Sequence, residues 1–111
     1  MKALIPITAF AILTIASARD GVAADAAPNW SHHCASCHGK DGKGDTVMGE
    51  KLGVKDYHDA KVQMAFSDAE MERAIKEGVK TNSKETMKPF GSKLSNADIK
   101  ALVAYIRSFK K

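Results

Sequence analysis

Cys34-Ala35-Ser36-Cys37-His38 is the stretch that decides how this chain folds. Two cysteines three apart, with a histidine directly after the second, form a c-type haem attachment motif. On one turn of helix Cys34 and Cys37 share a face, so both thiols can add to the two vinyl groups along one porphyrin edge. His38 then lies under the iron, and its imidazole is the expected proximal ligand.

Other uses of two cysteines fit less well. A thioredoxin-like pair needs a βαβ sheet around it, and no run of alternating β-branched residues is found. A zinc site needs four ligands; with two cysteines in the chain it would have to recruit His38 and one of His32, His33 or His58 at improvised spacings. A disulfide between Cys34 and Cys37 closes too small a loop to stabilise much, and it leaves His38 unexplained.

With 111 residues, 44% hydrophobic and 27% charged, the chain has room for one ordinary soluble domain. Its start reads differently. Lys2 precedes an uncharged apolar run from Ala3 to Ala16, followed by small residues, which is the pattern of a secretory signal. The run is shorter than a membrane-spanning helix and contains Pro6. Ala16-Ser17-Ala18 and Val22-Ala23-Ala24 both satisfy the small-x-small rule, and cutting after Ala24 is preferred over cutting after Ala18. Residues 1–24 are then the signal peptide and residues 25–111 the domain, with no stable membrane insertion afterwards.

Working outward from the motif, Asp25 to His38 reads as a short helix with Asp25 as N-cap and Pro28 in its first turn. Trp30 shares a face with Cys34 and should dock this helix onto the last; His32 and His33 should face solvent. Gly39 to Asp45 is a glycine-rich loop without a Walker pattern, and Gly49 to Gly53 should continue it, with Leu52 packing on the haem. Asp56 to Asp59 is turn-like, and Tyr57 there either donates to a haem propionate or keeps its hydroxyl in water. Ser67-Asp68-Ala69-Glu70 is a capping box opening a helix that runs to about Glu77. Val79 to Lys93 lacks periodicity and reads as a long irregular loop with Met87 in its middle. Met87 precedes Pro89 and Phe90, a soft thioether on stiffened backbone that suits a distal haem ligand. Met48, Met64 and Met71 read as packing. Ser95 to Asp98 caps a final helix whose apolar stripe is Ile99, Leu102, Val103 and Ile106.

Together C-A-S-C-H-G, D-G-x-G, M-K-P-F-G and L-S-N-A-D-I-K-A-L-V-A-Y-I-R resemble a small bacterial class I cytochrome c over nearly all of residues 25–111. The resemblance implies an all-α cytochrome c fold: three to four helices wrapped on one covalently attached haem c, with crossed terminal helices meeting through Ala26, Trp30, Leu102 and Tyr105. It implies His38 and Met87 as axial ligands, and electron carriage rather than enzymatic turnover. The family commonly follows its haem motif with Gly-Pro, whose proline carbonyl accepts the proximal histidine N–H. Here Gly49 is followed by Glu50, whose carbonyl is the one expected to accept instead.

The implied function is a monomeric periplasmic carrier cycling between Fe(II) and Fe(III), exchanging electrons with a quinol-oxidising complex, oxidase, reductase or dehydrogenase. The alternative is a dedicated haem subunit of one periplasmic oxidoreductase complex. Lys40, Lys43, Lys84, Lys88 and Lys93 are expected to rim the haem crevice and steer an acidic partner. The net charge of +4 comes from interspersed basic and acidic residues, a pattern that does not point to nucleic acid.

Overall fold

The computed structural model describes residues 2–4, 11–12 and 22–111. Most of the expected signal peptide, including the cut after Ala18, lies outside the described residues. Among the described residues no helix is long and apolar enough to cross a membrane.

The chain runs through α1 (Val22–Asn29), a π-helical turn (Trp30–Cys34), α2 (Ala35–His38), α3 (Val47–Leu52), α4 (Ala60–Ala65) and α5 (Asp68–Glu77). The strands β1 (Val79–Thr81) and β2 (Lys84–Met87) follow, and α6 (Asn96–Ser108) closes the fold. The architecture is the mainly helical one that the resemblance implies, with one small hairpin added.

The first helix begins at Val22, so Asp25 lies inside it and is not its N-cap. The cut proposed after Ala24 falls within this helix. The path from Asn29 to Ala35 is not a plain α-helix: the Ala35 N–H donates to Trp30 O, five residues back. Such π-turns insert one residue into a helix and recur at functional sites. Here the turn ends on Cys34.

Two capping boxes form as the sequence predicts. Ser67 Oγ accepts from Glu70 N–H at 3.1 Å, and Ser95 Oγ accepts from Asp98 N–H at 3.1 Å. Each acidic side chain reaches back to its N-cap N–H. Between them, Arg107 in the last turn of α6 ties three elements together. It donates to Asp68 Oδ1 at 2.8 Å, to Phe66 O at 2.6 Å and to the Gln63 carbonyl. Gln63, only 4% exposed, donates in turn to Tyr57 O and Ile106 O.

Two regions read as loop are ordered, and one short helix forms where the sequence offered no reading. Thr46 caps α3, accepting from Gly49 N–H at 2.8 Å, so Gly49 to Leu52 are helical. Asp59 accepts from Lys61 N–H and starts α4. Val79 to Met87 forms an antiparallel hairpin in which Val79 pairs with Met87 and Thr81 with Lys84. Its turn residues Asn82 and Ser83 both have positive φ, 52° and 64°, as a type I′ turn requires.

The core joins α1 to α6. Ala26 and Leu102 are fully buried, and α1 packs on α6. Trp30 sits between them with its ring centroid 5.6 Å from Tyr105 and 5.1 Å from Phe109. Ile75, Leu94, Ile99, Val103 and Ile106 complete this core. The role expected of Trp30, docking the first helix on the last, is the one it has.

Candidate functional site

A cavity of about 780 Å³ opens beside the attachment motif, within the roughly 300–1,000 Å³ typical of cofactor pockets. Cys34, Cys37 and His38 line it from the first helical segment, and Met87 lines it from the end of β2. Residues far apart in sequence are thus brought to one space. Ile75, Leu102 and Ile106 supply an apolar wall from α5 and α6. Leu52 and Tyr57 also line it, as the sequence predicts for Leu52.

The motif is held by its own neighbours. Trp30 Nε1 donates to Gly39 O at 2.9 Å, the Gly44 N–H donates to His38 O at 2.8 Å, and Thr46 Oγ donates to Cys37 O at 2.8 Å. A Cβ on Gly49 would lie 2.3 Å from Cys37 O and 2.4 Å from Gly44 O, so only glycine lets α3 pack this closely on the motif.

The chemistry of these donors fits a covalent haem. Neither cysteine is tied up in a disulfide; Cys34 is buried and Cys37 half-buried. Burial pushes the Cys34 thiol up to about 12, and the neighbouring Cys37 adds to the shift. Burial lowers His38 to about 4, so its imidazole is neutral and can bind a metal. His38 Nδ1 is sealed from solvent without a hydrogen-bond partner among the described residues, leaving Nε2 as the open nitrogen.

That orphaned Nδ1 corrects one expectation. The Glu50 carbonyl does not accept from His38; it accepts from Gly53 N–H at 3.3 Å in the C-cap of α3. Without a proline to stiffen the segment, residues 47–52 wind into helix and their carbonyls serve that helix. The His38 ring is supported by a face instead. Tyr57 stacks on it with centroids 5.3 Å apart and an interplanar angle of 20°. Burial, with a smaller contribution from Cys34, raises the Tyr57 phenol to about 12, so it is neutral. The sequence pattern carried no signal for this stack, because Tyr57 reaches His38 across two loops.

Other candidates are sorted by position. His32 is exposed, but His33 is half-buried with its ring 5.5 Å from Phe90, not in free solvent. His58 lies outside the cavity, and its Nε2 is 2.6 Å from Asp41 O. Met71 is core, as expected. Met64 is 81% exposed and packs nothing; Met48 is 43% exposed at the cavity mouth. Among the expected rim lysines, Lys88 and Lys93 line the cavity, whereas Lys40, Lys43 and Lys84 do not. Lys55 lines it unexpectedly, and Glu70 and Glu85 are there as counter-charges.

A helical fold closed around free Cys-x-x-Cys-His donors defines a c-type cytochrome. The chain belongs to the family described as cytochrome C oxidase, cbb3-type, subunit III, whose model matches residues 21–106. It is similar to the solved structure of the KustC0563 c-type cytochrome, with 40% identity and a TM-score of 0.69 over 78% of this chain and 99% of that one. A tyrosine-to-phenylalanine mutant of Kustc0563 matches at 40% identity with a TM-score of 0.67, over 78% of this chain and 99% of that one. Among curated proteins none matches. Membership carries covalently bound haem c and its iron, and a role in electron transfer rather than in enzymatic turnover.

Proposed function

We propose that the chain is a periplasmic one-electron carrier whose haem c is fixed by thioethers to Cys34 and Cys37 and ligated by His38 and Met87. The observation that supports this best is that all four side chains line one cavity. When bound, the haem iron supplies a one-electron Fe(II)/Fe(III) couple. Neutral His38, through its open nitrogen, and the Met87 thioether would hold the iron between them, which would leave it one-electron exchange rather than oxygen or peroxide chemistry. A thioether donor favours the reduced metal. Apolar lining from Ile75, Leu102 and Ile106 excludes water and disfavours the extra positive charge of the oxidised state. Both effects raise the potential.

Processing belongs to the same reading: residues 1–24 are removed and residues 25–111 form the exported monomeric domain. Its partners are redox proteins, a quinol-oxidising complex, oxidase, reductase or dehydrogenase. A second reading, a dedicated electron-transfer subunit, is favoured by the family's description as an oxidase subunit and by Met48, Phe66 and Val79, partly exposed apolar residues at the cavity mouth.

Intact mass of periplasmic protein tests the assignment. The expected mass is residues 25–111 plus one haem that survives acidified organic solvent, on a protein that titrates as a single one-electron couple. Extractable haem, or a second electron, contradicts it. Migration of the native protein as a monomer supports the free carrier, and co-migration with a larger complex supports the subunit.

A further inference from the structure

We propose that Gly78 is the positioning residue for Met87: the backbone at this one glycine sets how firmly the thioether is presented to the cavity, and so how readily small exogenous ligands displace it. The inference rests on the reading of Met87 as an axial ligand.

Gly78 ends α5 with φ 77° and ψ −179°, a conformation that essentially only glycine adopts. A Cβ there would lie 2.6 Å from Met87 O, 2.9 Å from Pro89 N and 3.1 Å from Lys88 C. These are backbone atoms and cannot swing aside. The Met87–Pro89 backbone therefore lies directly on Gly78, with no space for a methyl group between them.

The next two residues fasten the segment to the same helix end. Phe90 N–H donates to Ile75 O at 2.8 Å and Gly91 N–H donates to Lys76 O at 3.1 Å. Carbonyls in the last turn of a helix have no intrahelical partner, and here the segment that carries Met87 satisfies two of them. The remaining anchor is the hairpin, whose β1 is exposed throughout and whose β2 is exposed at Lys84 and Glu85. An isolated two-stranded hairpin is marginal in water, so it cannot hold Met87 in place unaided. The position of the sulfur is thus set by backbone seated on backbone at Gly78.

Imidazole titration of the oxidised holoprotein reads this directly, because imidazole competes with Met87 for the iron. Gly78→Ala should lower the apparent Kd for imidazole roughly ten- to a hundredfold, the size expected of one backbone forced out of a glycine-only region. Gly91→Ala, whose added Cβ would meet Lys76 O at 2.9 Å without a positive φ, should fold normally and shift the constant the same way by a smaller factor. Ser95→Ala is the control: it removes the exposed cap of α6, outside the residues that line the cavity, so it should leave the imidazole constant at the wild-type value. If Gly78→Ala and Gly91→Ala both match wild type, or if Ser95→Ala shifts the constant equally, the proposal is overturned. If wild type already binds imidazole as tightly as Met87→Ala, the ligand assignment itself has failed, and the positioning role with it.

Discussion

On the His38 side of the cavity the backbone carbonyls of Cys37, His38 and Gly39 each accept a hydrogen bond, from Thr46 Oγ, Gly44 N–H and Trp30 Nε1. On the Met87 side the side chain stands at the end of a short hairpin whose other residues are mostly exposed, seated on Gly78 and tied to α5 by two N–H groups. His38 follows closely on Trp30 and Cys34, which belong to the core between α1 and α6, while Met87 rides on a strap. Disturbing the first wall should therefore cost the fold, and disturbing the second should cost only ligation. Under the proposed ligation, such a site would keep its cofactor anchored while leaving Met87 exchangeable.

The largest effect expected from breaking that contrast is at Trp30. It is 2% exposed, contacts both terminal helices and bonds Gly39, so Trp30→Ala should destabilise the holoprotein by about 3–5 kcal/mol in denaturant unfolding. That is a large share of the roughly 5–15 kcal/mol that holds a typical domain together. Thr46→Val keeps the shape but removes both the bond to Cys37 O and the cap on Gly49. It should cost about 1–3 kcal/mol in the same assay, because a buried acceptor is left unpaired.

Smaller still is the cap of α6. Ser95→Ala should lower stability by about 1 kcal/mol and leave the haem spectrum untouched. The backbone and side-chain bonds of Ser95 hold the Asp98 carboxyl below its ordinary value of 3.8. The folded state thus favours the carboxylate, and this contribution is present above pH 3.8 and lost as pH falls below it. A Ser95→Ala chain should show less of that acid dependence than wild type. The smallest effect concerns salt. Lys55, Lys88 and Lys93 share the cavity mouth with Glu70 and Glu85, so electron-exchange rates with an anionic partner should fall only slightly as ionic strength rises. A steep fall would show a positive rim stronger than this balance allows.

The embedded wall was legible in the sequence and the strap only partly. Cys34, Cys37 and His38 declare themselves by spacing, and the capping boxes at Ser67 and Ser95 mark both long helices because side-chain chemistry sets their starts. Short elements carry too few residues for periodicity. The six residues of α3 include Gly49, a poor helix former required by its contact with Cys37 O, and the six of α4 complete less than two turns. The hairpin turn is Asn82-Ser83 rather than the more telling Asn-Gly, and strands of three and four residues are too brief to alternate convincingly. Contacts that depend on tertiary packing, such as Tyr57 on His38 or Gly78 under Met87, have no local pattern at all.

The contrast between the two walls turns on Met87, and the visible spectrum of the oxidised holoprotein tests it most directly. A weak sulfur-to-iron charge-transfer band is expected in wild type and in Met48→Ala, Met64→Ala and Met71→Ala. Met87→Ala should lose the band, shift the potential downward and bind exogenous ligands while remaining folded with its haem attached. A wild-type protein without the band, or a Met87→Ala protein that keeps it, would contradict the account.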